Sequence, residues 1–493
     1  MGEKVAYLST TFVDLFVNDP NLPLLILDLS KYLFPYHRLE VGKQSGLSDE
    51  IMPLITYEYI TRVGNRVRIY FPIFIRDLVV ETLRKYGYNI MLMKPPIKRI
   101  SIPFDNVKLY PFQEDAVNSF IKSGCRGTIV VPTGGGKTFI ALKVISLLKV
   151  STLIVVTTQE LVNQWCERLI KYLGIEPGVL MAGVYDIRDV TVSTYHSAVD
   201  RIFDLMHKFT LIIFDEVHHC PSDLFKEIGF RLDAPFRLGL SATIQRSDNN
   251  EHLVYMICGP IVYKATYRDL VKYGLTVPIR HYVIYVLPTP DEFEEYMTCE
   301  NPIKRRNIAL SSKSKDEVVE KIVLTEYKLG SKILIFCEFI EQAERIYQRL
   351  AKYLRNMVCL LTGETNKEDR GIFFEYFRQG KVRVLVTTRV LDEGIDVPDA
   401  NVAIIVSGSS CKRQMIQRIG RVCRATNGKK EARVYEIVTA STCEEGYVEK
   451  RHFNDEVYEI ECVRVRKEDL DKLLHHIVVT VLKNQQITKL KTY

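Results

Sequence analysis

Short apolar runs recur along the middle of this 493-residue chain, separated by stretches with helical spacing. Residues 128–131, 152–156, 211–214 and 237–240 read as buried strands. The pattern lapses between about 270 and 325, then resumes at 332–336, 382–386 and 402–406. Apolar strands alternating with helices imply parallel sheets covered on both faces. The chain is therefore α/β, with two such domains in tandem, 96–270 and 271–445. Ahead of them, 67–71 and 89–93 read as strands and 73–86 as a helix, so residues 1–95 predict a small α/β N-terminal domain. Residues 288–307 are polar and carry no strand pattern, which fits an inserted element. The last stretch, 446–493, is a mixed-charge extension in which 470–482 has amphipathic helical spacing; 483–493 reads either as a partner-binding segment or as disorder.

Composition adds little to this outline. Hydrophobic residues make up 47% and charged residues 26%, as in ordinary globular proteins. No apolar run approaches the roughly 18 residues of a membrane span, and the N-terminus lacks the pattern of a secretion signal. Eleven cysteines without a CxxC argue against a zinc ribbon or a disulfide framework and suit a reducing cytoplasm. The net charge of +7 is concentrated: residues 62–108 hold ten Lys or Arg and three acids. That segment is either a solvated basic face or a phosphate-tracking surface.

Chemistry first appears at Val130-Val131-Pro132-Thr133-Gly134-Gly135-Gly136-Lys137-Thr138, where a strand meets a helix. The glycines let backbone N–H groups wrap a phosphate, and the helix N-terminus adds positive potential. Lys137 suits the β- and γ-phosphates of ATP, and the Thr138 hydroxyl suits Mg²⁺. A second strand, 211–214, ends in Asp215-Glu216-Val217-His218-His219. At the carboxyl edge of a parallel sheet these carboxylates fall beside the phosphate loop. Asp215 suits the water shell of Mg²⁺, and Glu216 suits activation of an attacking water. His218, His219 and Cys220 are too close in sequence to converge easily on one metal ion.

These motifs, with others in order over residues 105–430, resemble superfamily 2 helicases. Asp215-Glu216-Val217-His218 is similar to the DEAH-type motif, and Pro132–Thr138 to the helicase form of the phosphate loop. Gln113 resembles an adenine-reading glutamine. Thr157-Thr158 and Thr194 lie in stretches similar to DNA-contact motifs, and Ser241-Ala242-Thr243 resembles the motif linking nucleotide state to the DNA path. Thr387 through Gly394 and Asp396 resembles motif V, and Gln417-Arg418-Ile419-Gly420-Arg421-Val422-Cys423-Arg424 motif VI. Asp399-Ala400-Asn401-Val402 leading to Ser407-Gly408-Ser409, Arg413-Gln414 just ahead of motif VI, and Arg246-Ser247-Asp248 soon after Ser241-Ala242-Thr243 carry a closer resemblance, to the XPB helicases, archaeal ones in particular. Arg246-Ser247-Asp248 stands where that family carries Arg-Glu-Asp, with Ser247 replacing the glutamate.

The resemblance implies two RecA-like motor domains, a damage-recognition-like N-terminal domain and a thumb-like insertion near 288–311. It implies ATP and Mg²⁺ as cofactors. Thr133, Gly134, Gly135, Gly136, Lys137, Thr138, Gln113, Gly394 and Asp396 would hold the nucleotide, and Lys137, Asp215, Glu216, Arg421 and Arg424 would act in its hydrolysis. Thr157, Thr158, Thr194, Arg246, Asp248 and Thr387 would contact DNA. His218, Ser241, Thr243 and Gln417 would couple the two. The implied activity is ATP-driven opening of duplex DNA in excision repair or transcription, with 3′→5′ movement. Partners would be forked or damaged DNA and a nuclease or repair protein, with the chain a monomer or heterodimer in an archaeal cytoplasm. Two alternatives stay open: an annealing or RNA helicase, and an ATP-gated switch that works through its partner.

Overall fold

The computed structural model describes residues 4–9, 12–33, 60–71, 76–93, 97–222, 224–244, 251–388, 400–408, 415, 418–420, 422, 425, 429–452 and 462–490. They form two compact units, the first holding Met1–Val130 and Gly136–Lys264, the second Val131–Gly135 and Ala265–Tyr493.

The first unit begins with a mixed five-stranded sheet. Its strands are β1 (Val5–Leu8), β2 (Phe12–Phe16), β3 (Ile60–Val63), β4 (Arg66–Tyr70) and β5 (Asn89–Leu92), in the order β3-β4-β2-β1-β5. The helices Leu22–Leu33 and Arg76–Lys85 bury Leu25, Leu29, Val79 and Leu83 against it. Phe12 belongs instead to the apolar cluster of the following domain, which also holds Phe209 and Ile212. Arg68 grips Asp14 through two bonds of 2.7 and 2.8 Å and lies 3.9 Å over the Phe12 ring. The basic segment is thus partly committed: Lys85 pairs with Asp28, Lys98 with Asp189, and Arg99 donates to the Leu148 carbonyl.

The rest of this unit is built on an eight-stranded sheet. Its strands are β6 (Arg126–Val130), β7 (Thr152–Val156), β8 (Gly178–Met181), β9 (Val184–Tyr185), β10 (Val190–Thr194), β11 (Leu211–Asp215), β12 (Phe236–Ser241) and β13 (Ile261–Lys264). The order is β13-β6-β12-β11-β7-β10-β8-β9, parallel except for the β8–β9 hairpin. Asp215 pairs with Leu240, and Ser241 with Val130, so the ends of β6, β11 and β12 share one edge. On β12 the fully buried Arg237 binds four carbonyls, those of Ala234, Gly229, Ile257 and Leu232. These lie around the ends of the helices Lys226–Arg231 and Glu251–Cys258. Burial pushes the Arg237 pKa down to about 10, with Arg126 adding to the effect.

The second unit holds a seven-stranded sheet, parallel throughout. It comprises β14 (Ile279–Val286), β15 (Ile333–Phe336), β16 (Val358–Leu361), β17 (Val384–Thr387), β18 (Val402–Ile405), β19 (Ala432–Thr439) and β20 (Cys462–Arg466). The order is β16-β17-β15-β18-β19-β14-β20. Three of these strands differ from the sequence expectation. β14 falls in the stretch read as a break, because Arg280, His281 and the tyrosines interrupt its apolar pattern. β19 buries Arg433 and Glu436, and β20 lies in the expected extension. Arg433 is held by Glu326 at 2.7 and 2.8 Å, and the Tyr435 hydroxyl donates to the same carboxylate at 2.5 Å.

Residues 288–311 form two short helices, Pro290–Thr298 and Pro302–Ser311, capped by Thr289 and Asn301. The last helix runs Leu470–Leu490, longer than its amphipathic stretch suggested, and buries Leu470, Leu474 and Ile477 in the second motor's core. The extension is therefore built into that domain. Among the described residues, no helix is long and apolar enough to cross a membrane.

Arg237→Met should destabilise the first unit by about 3–5 kcal/mol, since buried carbonyls lose charged donors. Urea unfolding followed by the emission of the single tryptophan, Trp165, reads that unit directly. An unchanged midpoint would contradict the role given to Arg237.

Candidate active site

Four chain segments meet at the carboxyl edge of β6, β11 and β12. After β6, the loop turns through Gly134 (φ 89°) with Gly135 N–H donating to the Pro132 carbonyl at 3.0 Å. Gly136 (φ 77°, ψ 36°) starts the helix Lys137–Leu148. A Cβ at Gly136 would lie 2.4 Å from Gln113 Nε2, in addition to the strain of positive φ, so both space and backbone demand glycine there. Gln113 is buried in the first turn of the helix Pro111–Lys122, where its Oε1 accepts from Tyr110 N–H at 2.9 Å. Thr133 lies in the loop and Thr138 in the first helical turn, its Oγ1 accepting from Arg168 at 3.0 Å.

The acidic pair closes the site. Lys137 Nζ stands 3.3 Å from Glu216 Oε1. Glu216 adopts a left-handed backbone (φ 51°, ψ 55°), which a residue with a Cβ rarely occupies and which turns it off the strand. Asp215 is buried, accepting from Trp165 Nε1–H at 2.9 Å and from Glu216 N–H at 3.1 Å. The Tyr195 hydroxyl donates to the Asp215 carbonyl at 3.2 Å. Burial, then the negative charge of Glu216, lifts the Asp215 pKa above the usual carboxylate range; Lys137 and the two N–H donors oppose this. A buried carboxylate in this condition fits a divalent cation, whose charge would relieve both terms.

One relay leads away from the pair. The Ser241 hydroxyl donates to the Thr243 carbonyl at 2.5 Å, so His218 Nδ1, 2.8 Å away, donates to Ser241 Oγ. The same nitrogen is 3.4 Å from Glu216 Oε2. His218, Ser241 and Thr243 are all buried.

The threonines singled out in the sequence lie at strand ends. Thr158 caps the helix Gln159–Leu173 by accepting from Leu161 N–H, and Thr194 caps Tyr195–Asp200 by accepting from Ser197 N–H. Thr157 follows β7 directly, half-buried. Thr387 ends β17 and donates to the Thr388 carbonyl at 3.2 Å. Gly394, Asp396, Arg246, Asp248, Gln417, Arg421 and Arg424 lie outside the described residues.

Sequence reasoning missed three contributors: Trp165, Arg168 and Tyr195. Trp165 is a core residue, yet its indole N–H is also a site donor. The need of any buried indole for an acceptor was the available signal.

A parallel sheet with a glycine-rich phosphate loop, an acidic pair on a neighbouring strand end and a serine–histidine relay defines a superfamily 2 helicase motor. The family model described as "Type III restriction enzyme, res subunit" matches residues 106–246, and the helicase conserved C-terminal domain matches 314–426. A "DNA 3'-5' translocase XPB2" of Sulfurisphaera tokodaii is 37% identical over 70% of this chain and 85% of its own length. A "DNA 3'-5' helicase XPB" of Kineococcus radiotolerans is 33% identical over 71% of this chain and 63% of its own. A fragment of a putative HsdR subunit of a type I restriction enzyme from Vibrio vulnificus shares the fold, with a TM-score of 0.55 at 19% identity over 74% of this chain and 70% of that one. The chain belongs to the XPB family of DNA helicases and translocases, and its helicase domains make it an ATP-dependent enzyme.

Folding raises the Asp215 pKa, so folding favours its protonated form. The resulting stabilisation is present at low pH and is lost as pH rises through the folded value, above which the ionised group works against stability. Asp215→Asn should therefore raise the melting temperature while abolishing ATP turnover. A lower melting temperature would contradict this electrostatic account.

Proposed function

We propose that this chain is a 3′→5′ DNA translocase and helicase that opens forked or damaged duplexes in excision repair or transcription. The observation that carries the reading is the Lys137–Glu216 pair beside buried Asp215, at the edge where β6 and β11 end, in a chain of the XPB family. The N–H groups of Gly134, Gly135 and Gly136 hold the phosphates of ATP together with Lys137, Thr133 lies against the same loop, and Gln113 orients the adenine. Without nucleotide, Lys137 neutralises Glu216; with it, Lys137 turns to phosphate and frees Glu216 to accept a proton from the attacking water. Thr138 and Asp215 would hold Mg²⁺, which supplies charge neutralisation on the phosphates. Gly394 and Asp396 approach the nucleotide, and Arg421 and Arg424 stabilise charge that develops during phosphoryl transfer.

The DNA path runs past Thr157, Thr158, Thr194 and Thr387, with Arg246 and Asp248 near the point of strand separation. Hydroxyls and the backbone N–H groups at helix starts suit contact with phosphates without sequence reading. His218, Ser241, Thr243 and Gln417 pass the state of the nucleotide to that path. The N-terminal domain serves DNA or partner binding, and the helix pair of 288–311 serves as a thumb. A nuclease or repair protein is the proposed partner, in an archaeal cytoplasm.

ATP hydrolysis is to be measured alone and with single-stranded DNA, forked DNA and RNA. DNA should stimulate it strongly, with the effect falling steeply with salt. Lys137→Ala and Glu216→Gln should lose it. Stimulation by RNA as strong as by DNA would overturn the substrate assignment. On single-stranded DNA, streptavidin should leave a 5′-biotin end faster than a 3′-biotin end; the reverse would overturn the polarity.

A further inference from the structure

Away from the ATP site, the edge of the second motor's sheet holds a second constellation of reactive groups. His281 on β14 faces Cys462 on the edge strand β20, and Cys462 Sγ lies 3.2 Å from His281 Nδ1. The other ring nitrogen, Nε2, is 3.3 Å from Glu436 Oε2 on β19. Glu436 pairs across from Val283, two residues beyond His281, so the three side chains occupy one face of three adjacent strands. His281 and Glu436 are buried, whereas Cys462 is partly open on the sheet edge.

We propose that Cys462 is a reactive thiol, activated by His281 and Glu436, and a site of oxidation by hydroperoxides. The arrangement is a nucleophile, a base within hydrogen-bond reach and a carboxylate that orients the base. As sulfur attacks, His281 Nδ1 takes the thiol proton, and Glu436 stabilises the imidazolium through Nε2. The thiolate attacks one oxygen of the hydroperoxide and the O–O bond breaks. Sulfur is oxidised by two electrons to the sulfenic acid, and the peroxide is reduced. With hydrogen peroxide, the leaving hydroxide recovers the proton from His281 and departs as water.

Burial pulls the His281 pKa down, but its bonds to Cys462 and Glu436 outweigh this and the net shift is upward. Contrast Cys258 and Cys337, whose thiols burial pushes up to about 12. Other charges act on this face. Tyr285, four residues along β14, feels Arg464 from β20, Glu436 from β19, and Glu445 and Glu449 from the helix Cys443–His452. That helix packs over the face through Val448, against Val283 and Val438. Cys462 also packs against this cluster.

The test is alkylation of the full chain by iodoacetamide across pH, read peptide by peptide by mass spectrometry. Partly exposed Cys299 serves as the internal reference. The proposal expects the Cys462 midpoint at least about one pH unit below that of Cys299. It also expects dimedone to capture a sulfenic acid on Cys462 after brief hydrogen peroxide. Glu436→Gln should move the Cys462 midpoint toward that of Cys299; if this variant does not fold, the wild-type profile decides alone. A midpoint less than about one unit below that of Cys299 overturns the proposal.

Discussion

Holding the Asp215 side chain inside the first motor is the constraint around which the rest of that unit is arranged. Five buried residues of β11 carry the chain to the sheet edge and leave a carboxylate where water is scarce. Glu216, the next residue, makes the situation worse by its charge. Trp165, the Glu216 N–H and Lys137 each offset part of the cost. The site is thus poised to gain from any added positive charge, a useful property in an ATP-dependent enzyme. The left-handed backbone of Glu216 follows from the same need, because a continuing strand would carry its side chain to the opposite face.

The two units solve the problem of buried charge differently. In the first, Arg237 spends its donors on carbonyls and so ties together helix ends that lack partners of their own. In the second, charged side chains find charged partners. Arg433 meets Glu326, and Lys315 meets Glu444 at 2.7 Å while donating to the Val406 carbonyl. The first pair joins a strand to a helix and the second joins two helices, in each case far apart in sequence, and breaking either pair would leave a buried charge alone. The His281–Glu436 contact belongs to the same class but faces an edge where a thiol can be reached.

The α/β class and the phosphate and acidic motifs were legible because both depend on neighbouring residues. A glycine-rich turn between strand and helix needs no tertiary information, nor does an apolar strand ending in two acids. What escaped was set by distant pairing. β14 and β19 carry arginine, histidine and glutamate in the sheet, and only the partners Glu326, Glu436 and Cys462 make those residues acceptable there. Trp165 is separated from Asp215 by fifty positions, so its role shows only when the helix Gln159–Leu173 is laid on the sheet. The hydroxyls of Thr158 and Thr194 cap helix starts, a local role that depends only on residues three positions away.

Because Trp165 is the single tryptophan and donates to Asp215, its emission reports the charge on that carboxylate. The most direct measurement is a titration of the full chain with ATP and magnesium, followed by tryptophan fluorescence, with binding measured independently by equilibrium dialysis. The account predicts an emission change that tracks binding and shrinks when magnesium is chelated. Nucleotide and magnesium that bind while leaving the emission unchanged would contradict the claim that Asp215 is the group the bound cation relieves.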